Sequence, residues 1–189
     1  MQEKNLSIVI PVYNEEKRIG KTLFELKNFC DEKELNVEVI VVDDGSTDMT
    51  SWILDRFKSF IKVITAWPNK GKGYAVRSGM LAASGKFVLF MDADLATPLS
   101  EIEKILKLGG KYDVVIGERE KSGKVKRTIF RSIIGKIFHL ISNLLVPMSL
   151  RDTQCGFKLF TNSAAKILFG RAKIDRMAFD VEILHLAQK

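Results

Sequence analysis

Short apolar runs and amphipathic stretches alternate along the first 120 residues. Leu6–Val12 (LSIVIPV) and Val37–Asp43 (VEVIVVD) are rich in β-branched residues, and Ile61–Thr65, Phe87–Met91 and Asp113–Gly117 repeat the pattern. Such runs read as strands buried on both faces. The intervening stretches carry helical spacing. Ile19, Leu23, Leu26 and Cys30 recur at intervals of four, three and four, with Asn14 as the expected N-cap and Glu15 and Glu16 in the first turn. Ile53 and Phe57 mark a second helix, Ala75, Gly79 and Ala82 a third, and Ile102, Ile105 and Leu106 a fourth, with Pro98 near its start. Strand and helix in alternation predict an α/β fold whose central sheet is mostly parallel and flanked by helices. Ligands of such sheets bind beyond the carboxyl ends of the strands.

The remainder has a different character. Ile129–Leu150 is strongly apolar but interrupted by Arg131, Lys136, His139 and Asn143, which makes it too polar for a membrane span. Its helical spacing suits either packing into the core or lying in a membrane interface. Phe157–Thr161 reads as a strand. Phe179–Gln188 reads as a helix with no stop signal, the expectation being a chain cut short at its C-terminus. His139 and His185 sit in apolar helical patterns and are expected to be packed; Trp52 and Trp67 are expected in the core or a pocket wall.

The 189 residues suit one domain, and at 46% hydrophobic the chain can offset its ordering entropy. Charge divides it. Residues 1–120 hold 17 Lys and Arg against 19 Asp and Glu, whereas residues 121–189 hold 13 against 4. The basic excess therefore lies in the last third, where it points to a polyanionic partner. Cys30 and Cys155 form neither a disulfide framework nor a zinc pattern, and Met1–Asn5 is polar, so no secretory signal is expected and a reducing compartment is the default.

Four motifs fall at predicted strand ends: Pro11-Val12-Tyr13-Asn14-Glu15, Asp43-Asp44-Gly45-Ser46-Thr47-Asp48, Asn69-Lys70-Gly71-Lys72-Gly73 and Asp92-Ala93-Asp94. Singly, each also reads as an ordinary turn or helix start. In extended backbone, however, positions i and i+2 point the same way, so Asp92 and Asp94 can converge on one cation. Oxygen-only ligation suits Mg²⁺ or Mn²⁺, which shares its remaining positions with phosphates and water. Other nucleotide signatures are missing. The interval between Gly79 and Gly85-Lys86 is wrong for a phosphate loop, no G-x-G-x-x-G follows the first strand, and no nucleophile elbow is present.

As an ordered set, these motifs resemble the family-2 inverting glycosyltransferases of the GT-A fold. Arg151–Lys158 (RDTQCGFK) and Ala178–Glu182 (AFDVE) are similar to the dolichyl-phosphate β-glucosyltransferase branch and its polyprenyl-phosphate relatives. The resemblance implies that residues 1–120 form the nucleotide-sugar half and residues 121–189 the acceptor half. It implies that Pro11, Tyr13 and Glu15 hold the base and ribose, with Asp43 and Asp44 also serving the nucleoside. Gly71, Lys72 and Gly73 would let the backbone approach the nucleotide. Asp92 and Asp94 would hold the divalent ion at the diphosphate, and Arg119 and Arg131 would meet phosphates of donor or lipid. Asp180 would bind sugar hydroxyls or act as a base, and Gln154 and Lys158, with Arg131, would surround the acceptor. Two positions depart from the pattern: Ala96 stands where mannosyl members often carry Gln, which favours the glucosyl branch, and Glu118 stands where Ser is usual.

A sugar hydroxyl as acceptor would need a general base, for which Asp180 and Glu182 are the candidates. A lipid monophosphate is already anionic and needs positioning and charge compensation instead. The run Lys121, Lys124, Lys126, Arg127 and Arg131 before the apolar stretch suits a phosphate on a lipid chain. The expected reaction is transfer of a hexose, glucose, from UDP-glucose to a polyprenyl or dolichyl phosphate by an enzyme peripheral to the cytoplasmic membrane face. Transfer to a saccharide hydroxyl is the alternative within the family, and sugar-nucleotide binding without turnover an alternative outside catalysis. A nucleic-acid module would leave the acidic pair unexplained and lacks aromatic-interleaved basic motifs, so no nucleic-acid partner is expected.

Overall fold

The computed structural model describes residues 5–118 and 154–189. Arg119, Arg131, the basic run and the apolar stretch 129–150 lie outside the described residues. In chain order the elements are β1 (Leu6–Val12), α1 (Ile19–Glu32), β2 (Val37–Asp43), α2 (Thr50–Asp55), β3 (Ile61–Thr65), α3 (Lys72–Ala82), β4 (Phe87–Met91), α4 (Glu101–Gly109), β5 (Val114–Ile116), β6 (Phe157–Thr161), α5 (Asn162–Arg171) and α6 (Phe179–Ala187).

The six strands form one sheet in the order β3-β2-β1-β4-β6-β5. β1 runs parallel to β2 and β4, and β2 parallel to β3, while β6 is antiparallel to both β4 and β5. Alternate residues of each central strand enter opposite cores, which is why these strands are mostly apolar. Ile8, Ile10, Val39, Val41, Leu89 and Met91 pack on the side of α1, α2 and α4. Val9, Ile40, Val42, Val88 and Phe90 pack on the side of α3, α5 and α6. The expected mostly parallel sheet between helical layers is thus observed, with β6 as the strand that breaks the parallel run.

The start of α1 differs from the sequence expectation. The helix begins at Ile19 without a side-chain cap. Asn14 instead adopts a left-handed φ of 53°, a conformation Asn tolerates better than most residues. Its Oδ1 accepts the Thr47 N–H at 2.8 Å, and its own N–H donates to Ser46 Oγ at 2.9 Å. The next residues continue the stitching: Glu15 N–H donates to Thr50 Oγ1, and Glu16 N–H to Asp48 Oδ2. Polar side chains that read as a helix start therefore bind the β1–α1 loop to the β2–α2 loop. Trp52 and Trp67 are also not where expected. They are 57% and 71% exposed, and Trp52 carries the Arg56 guanidinium over its ring.

Candidate functional site

The register pairs Val12 with Asp43 and Val9 with Phe90, so β1, β2 and β4 end along one edge of the sheet. The residues following those ends enclose a cleft of about 380 Å³. Pro11, Tyr13 and Glu15 enter it from β1, Asp44 from β2, Gly71 and Lys72 from the start of α3, and Asp92 and Asp94 from β4. Motifs spread over more than eighty positions of sequence thus face one space, as expected for the carboxyl edge of a parallel sheet.

Asp44 organises the floor. Its side chain is buried, and its two carboxylate oxygens accept the N–H groups of Lys70 at 2.8 Å and Gly71 at 2.7 Å. Its carbonyl accepts from Asn69 Nδ2. The turn 69–71 is therefore held by one side chain. Gly71 has a φ of 110°, and a Cβ there would stand 2.5 Å from the Asp175 carbonyl oxygen. That backbone conformation is open to glycine and strained for other residues.

The acidic pair lines the same cleft. Asp92 is half-buried, and its Oδ1 lies 2.7 Å from Lys72 Nζ. Its N–H donates to the Gly156 carbonyl at 3.0 Å, and Gly156 presses so closely on the carboxylate that a Cβ would overlap it. Asp94 is exposed to the cleft, and its Oδ1 accepts the Ala96 N–H at 3.0 Å. Arg18, paired with Glu15 at 2.7 Å, lines the same space. Its pKa is raised, chiefly by the hydrogen bond to Glu15, with the Asp94 charge contributing in the same sense. Two carboxylates, no sulfur or nitrogen donor, and open space beside them form a donor set that fits a hard divalent cation sharing ligands with phosphate and water. Among the described residues no cluster of three or more His, Cys, Asp or Glu is grouped as for a closed metal site.

Other sequence candidates fall elsewhere. Asp43 is 1% exposed and turned away from the cleft: Ser46 N–H and Ser51 Oγ donate to its carboxylate. Lys158 is equally buried. Its ammonium donates to the Cys155 carbonyl at 2.6 Å and to Asp180 Oδ1 at 2.5 Å. Burial raises the Asp180 pKa and Lys158 opposes that shift. Gln154 is exposed, as is Glu118 at the end of β5, and Arg119 and Arg131 are outside the described residues. Glu182 accepts the N–H groups of Lys173 and Ile174. Arg18 and Gly156 belong to the cleft or its walls and were missed by sequence reading, whereas Asn69 stood in the third motif. The three-residue spacing of Glu15 and Arg18 was a signal for the first. Gly156 lay inside a run read for its polar residues.

The model of the family described as Glycosyl transferase family 2 matches residues 7–175. A human protein named dolichyl-phosphate beta-glucosyltransferase is 38% identical over 205 residues, which cover 98% of this chain and 63% of that protein. The Drosophila melanogaster protein of the same name is 40% identical, covering 97% and 62% respectively. The chain thus spans somewhat under two thirds of the length of these relatives. Among solved structures, glucosyl-3-phosphoglycerate synthase from Mycobacterium tuberculosis, in complex with Mn²⁺, UDP-glucose and phosphoglyceric acid, superposes with a TM-score of 0.63 at 19% identity, over 96% of this chain and 64% of that one. That likeness establishes a shared fold. With the ordered strand-end motifs gathered in one cleft and a family match over most of its length, the chain belongs to glycosyl transferase family 2.

Proposed function

We propose that the chain transfers a hexose, glucose, from UDP-glucose to a polyprenyl or dolichyl phosphate. The observation that carries this reading is the convergence of Asp92 and Asp94 with Pro11, Tyr13, Glu15, Asp44, Gly71 and Lys72 on one cleft. The names of its relatives supply the acceptor class.

In this reading Pro11 and Tyr13 receive the base, and the turn held by Asp44 receives the ribose and diphosphate. Asp92 and Asp94 hold Mg²⁺ or Mn²⁺. When bound, the cation supplies Lewis-acid stabilisation of charge on the departing diphosphate. Lys72 adds positive charge beside the same oxygens. Among the described residues, the two carboxylates expected as a base for a sugar hydroxyl are otherwise engaged: Asp180 is buried against Lys158, and Glu182 accepts two backbone N–H groups. A phosphate monoester arrives already ionised and needs only orientation and positive charge. The run Lys121, Lys124, Lys126, Arg127 and Arg131 supplies that charge in this reading. Among the described residues no helix is long and apolar enough to cross a membrane. A peripheral placement at the cytoplasmic face, where nucleotide sugars and anionic lipids meet, follows from this reading.

Incubating the 189-residue chain with radiolabelled UDP-glucose, Mn²⁺ and dolichyl phosphate tests it. Label should pass into the organic phase only when the lipid is present. A labelled water-soluble saccharide product, with no lipid-phase label, would show that a hydroxyl is the acceptor.

A further inference from the structure

Lys72 stands where a cation acting on Asp92 would compete with it. Its Nζ lies 2.7 Å from Asp92 Oδ1, and the two side chains are only 29% and 33% exposed. The ammonium also rests 5.4 Å from the centre of the Phe90 ring. Asp92 is anchored by its own N–H on Gly156, and Gly156 covers the Oδ2 side. A carboxylate so confined has little freedom to turn away from Lys72. Lys72, by contrast, is the first residue of α3 and reaches the pair on a flexible four-carbon stem.

We propose that Lys72 is a displaceable counter-ion of Asp92, so that binding of the divalent cation depends on the diphosphate. This rests on the reading of the cleft as a nucleotide-sugar site. Without a nucleotide, a cation approaching Asp92 must displace the ammonium. A diphosphate in the cleft offers Lys72 a second anion, which draws it off Asp92 and frees the carboxylate. The ammonium also keeps two neighbouring carboxylates from facing each other without a counter-charge. The two ligands then favour each other's binding, and by linkage the gain is the same in both directions.

The test measures Mn²⁺ binding by the electron paramagnetic resonance of the free ion, with and without UDP, alongside calorimetry of UDP with and without Mn²⁺. Wild type should bind Mn²⁺ weakly alone and more tightly with UDP. Lys72→Met should bind Mn²⁺ alone up to about fivefold more tightly than wild type, the factor that a partly exposed ion pair carries. It should bind UDP alone more weakly, and the gain that UDP gives to Mn²⁺ should shrink. Lys72→Arg, which keeps a cation, should behave as wild type. Thermal melts establish that each variant is folded, and Lys72→Gln replaces Lys72→Met in the same titration should the latter fail to fold. An unchanged Mn²⁺ affinity without nucleotide in the neutral variants overturns the proposal, because a lysine that serves only the phosphates would leave it unchanged. The same behaviour in Lys72→Arg and Lys72→Met also overturns it, since charge would not then be the cause. Wild type that binds neither UDP nor Mn²⁺ in each other's presence overturns the nucleotide-sugar reading itself, and this inference with it.

Discussion

A Cβ at position 156 would overlap the carboxylate of Asp92, so the absence of a side chain there shapes the acidic wall. Gly156→Ala should push Asp92 from its place and weaken Mn²⁺-dependent UDP binding by tenfold or more, roughly the 1–3 kcal/mol of an overpacked contact. Calorimetry reads the loss, and an alanine variant that binds as wild type would show that Asp92 does not need this position. Cys30 offers a test of burial. Its thiol is pushed up from 9.0 to about 11, mainly by desolvation and secondarily by Asp31. A raised thiol stabilises the folded chain below pH 9, and that contribution is lost as pH rises through about 11. Urea midpoints of wild type should therefore fall more steeply between these values than those of Cys30→Ala. Parallel curves would mean that the thiol ionises as readily when folded. At this scale the sequence was legible where chemistry is local. Asp92 and Asp94 sit two apart at the end of an apolar run and both line the cleft, although they lie in the turn after β4 and not in extended strand. Lys158 and Asp180 are 22 positions apart, and nothing in either run announced that each would bury the other's charge. Asp43 and Asp44 are adjacent and identical in type, yet one serves a turn and the other the cleft.

Elements were legible in proportion to how far burial alone decides them. β1 to β4 and β6 have the bounds that their apolar runs predict; burial on both faces accounts for this in β1 and β4, whereas β3 is largely exposed. The beginning of α1 was not legible, because Asn14 and Glu16 serve the neighbouring loop and their sequence looks the same in either role. Two ties between elements can be tested. Lys166, on α5, donates to the carbonyls of Met80, Leu81 and Ala83 at the end of α3. Desolvation lowers its pKa, but those three carbonyls would lose their partner in Lys166→Met. We expect a loss of about 1–2 kcal/mol in urea unfolding; no change would make the contacts incidental. The pair Lys158–Asp180 joins β6 to α6 in the interior. Lys158→Met alone should cost about 3–5 kcal/mol by leaving a buried carboxylate unpaired, whereas the double variant Lys158→Met/Asp180→Leu should recover much of that stability. A single variant as stable as the double would mean that Asp180 escapes to water.

For the molecule as a whole, the mostly parallel sheet brings distant motifs together, and charge is divided unevenly along the chain. Residues 1–120 are near balance and provide the cleft, while the basic excess lies beyond them. If that excess meets a lipid phosphate, the chain should sediment with vesicles containing anionic lipid at low salt and be released as ionic strength rises. Salt-independent binding would point to apolar insertion instead. The family and the sheet could be read from sequence because their motifs recur at strand ends. The acceptor side could not, since charge composition shows a preference for anions and not the geometry that receives one. The account as a whole stands on the cleft between β1, β2 and β4. Its most direct measurement is a crystal structure of the chain grown with UDP and Mn²⁺, with an anomalous map for the metal. The account predicts a manganese peak at about 2.0–2.3 Å from carboxylate oxygens of Asp92 or Asp94, with the diphosphate beside Lys72 and the base against Pro11 and Tyr13. UDP bound elsewhere, or in this cleft with manganese remote from both carboxylates, would contradict it.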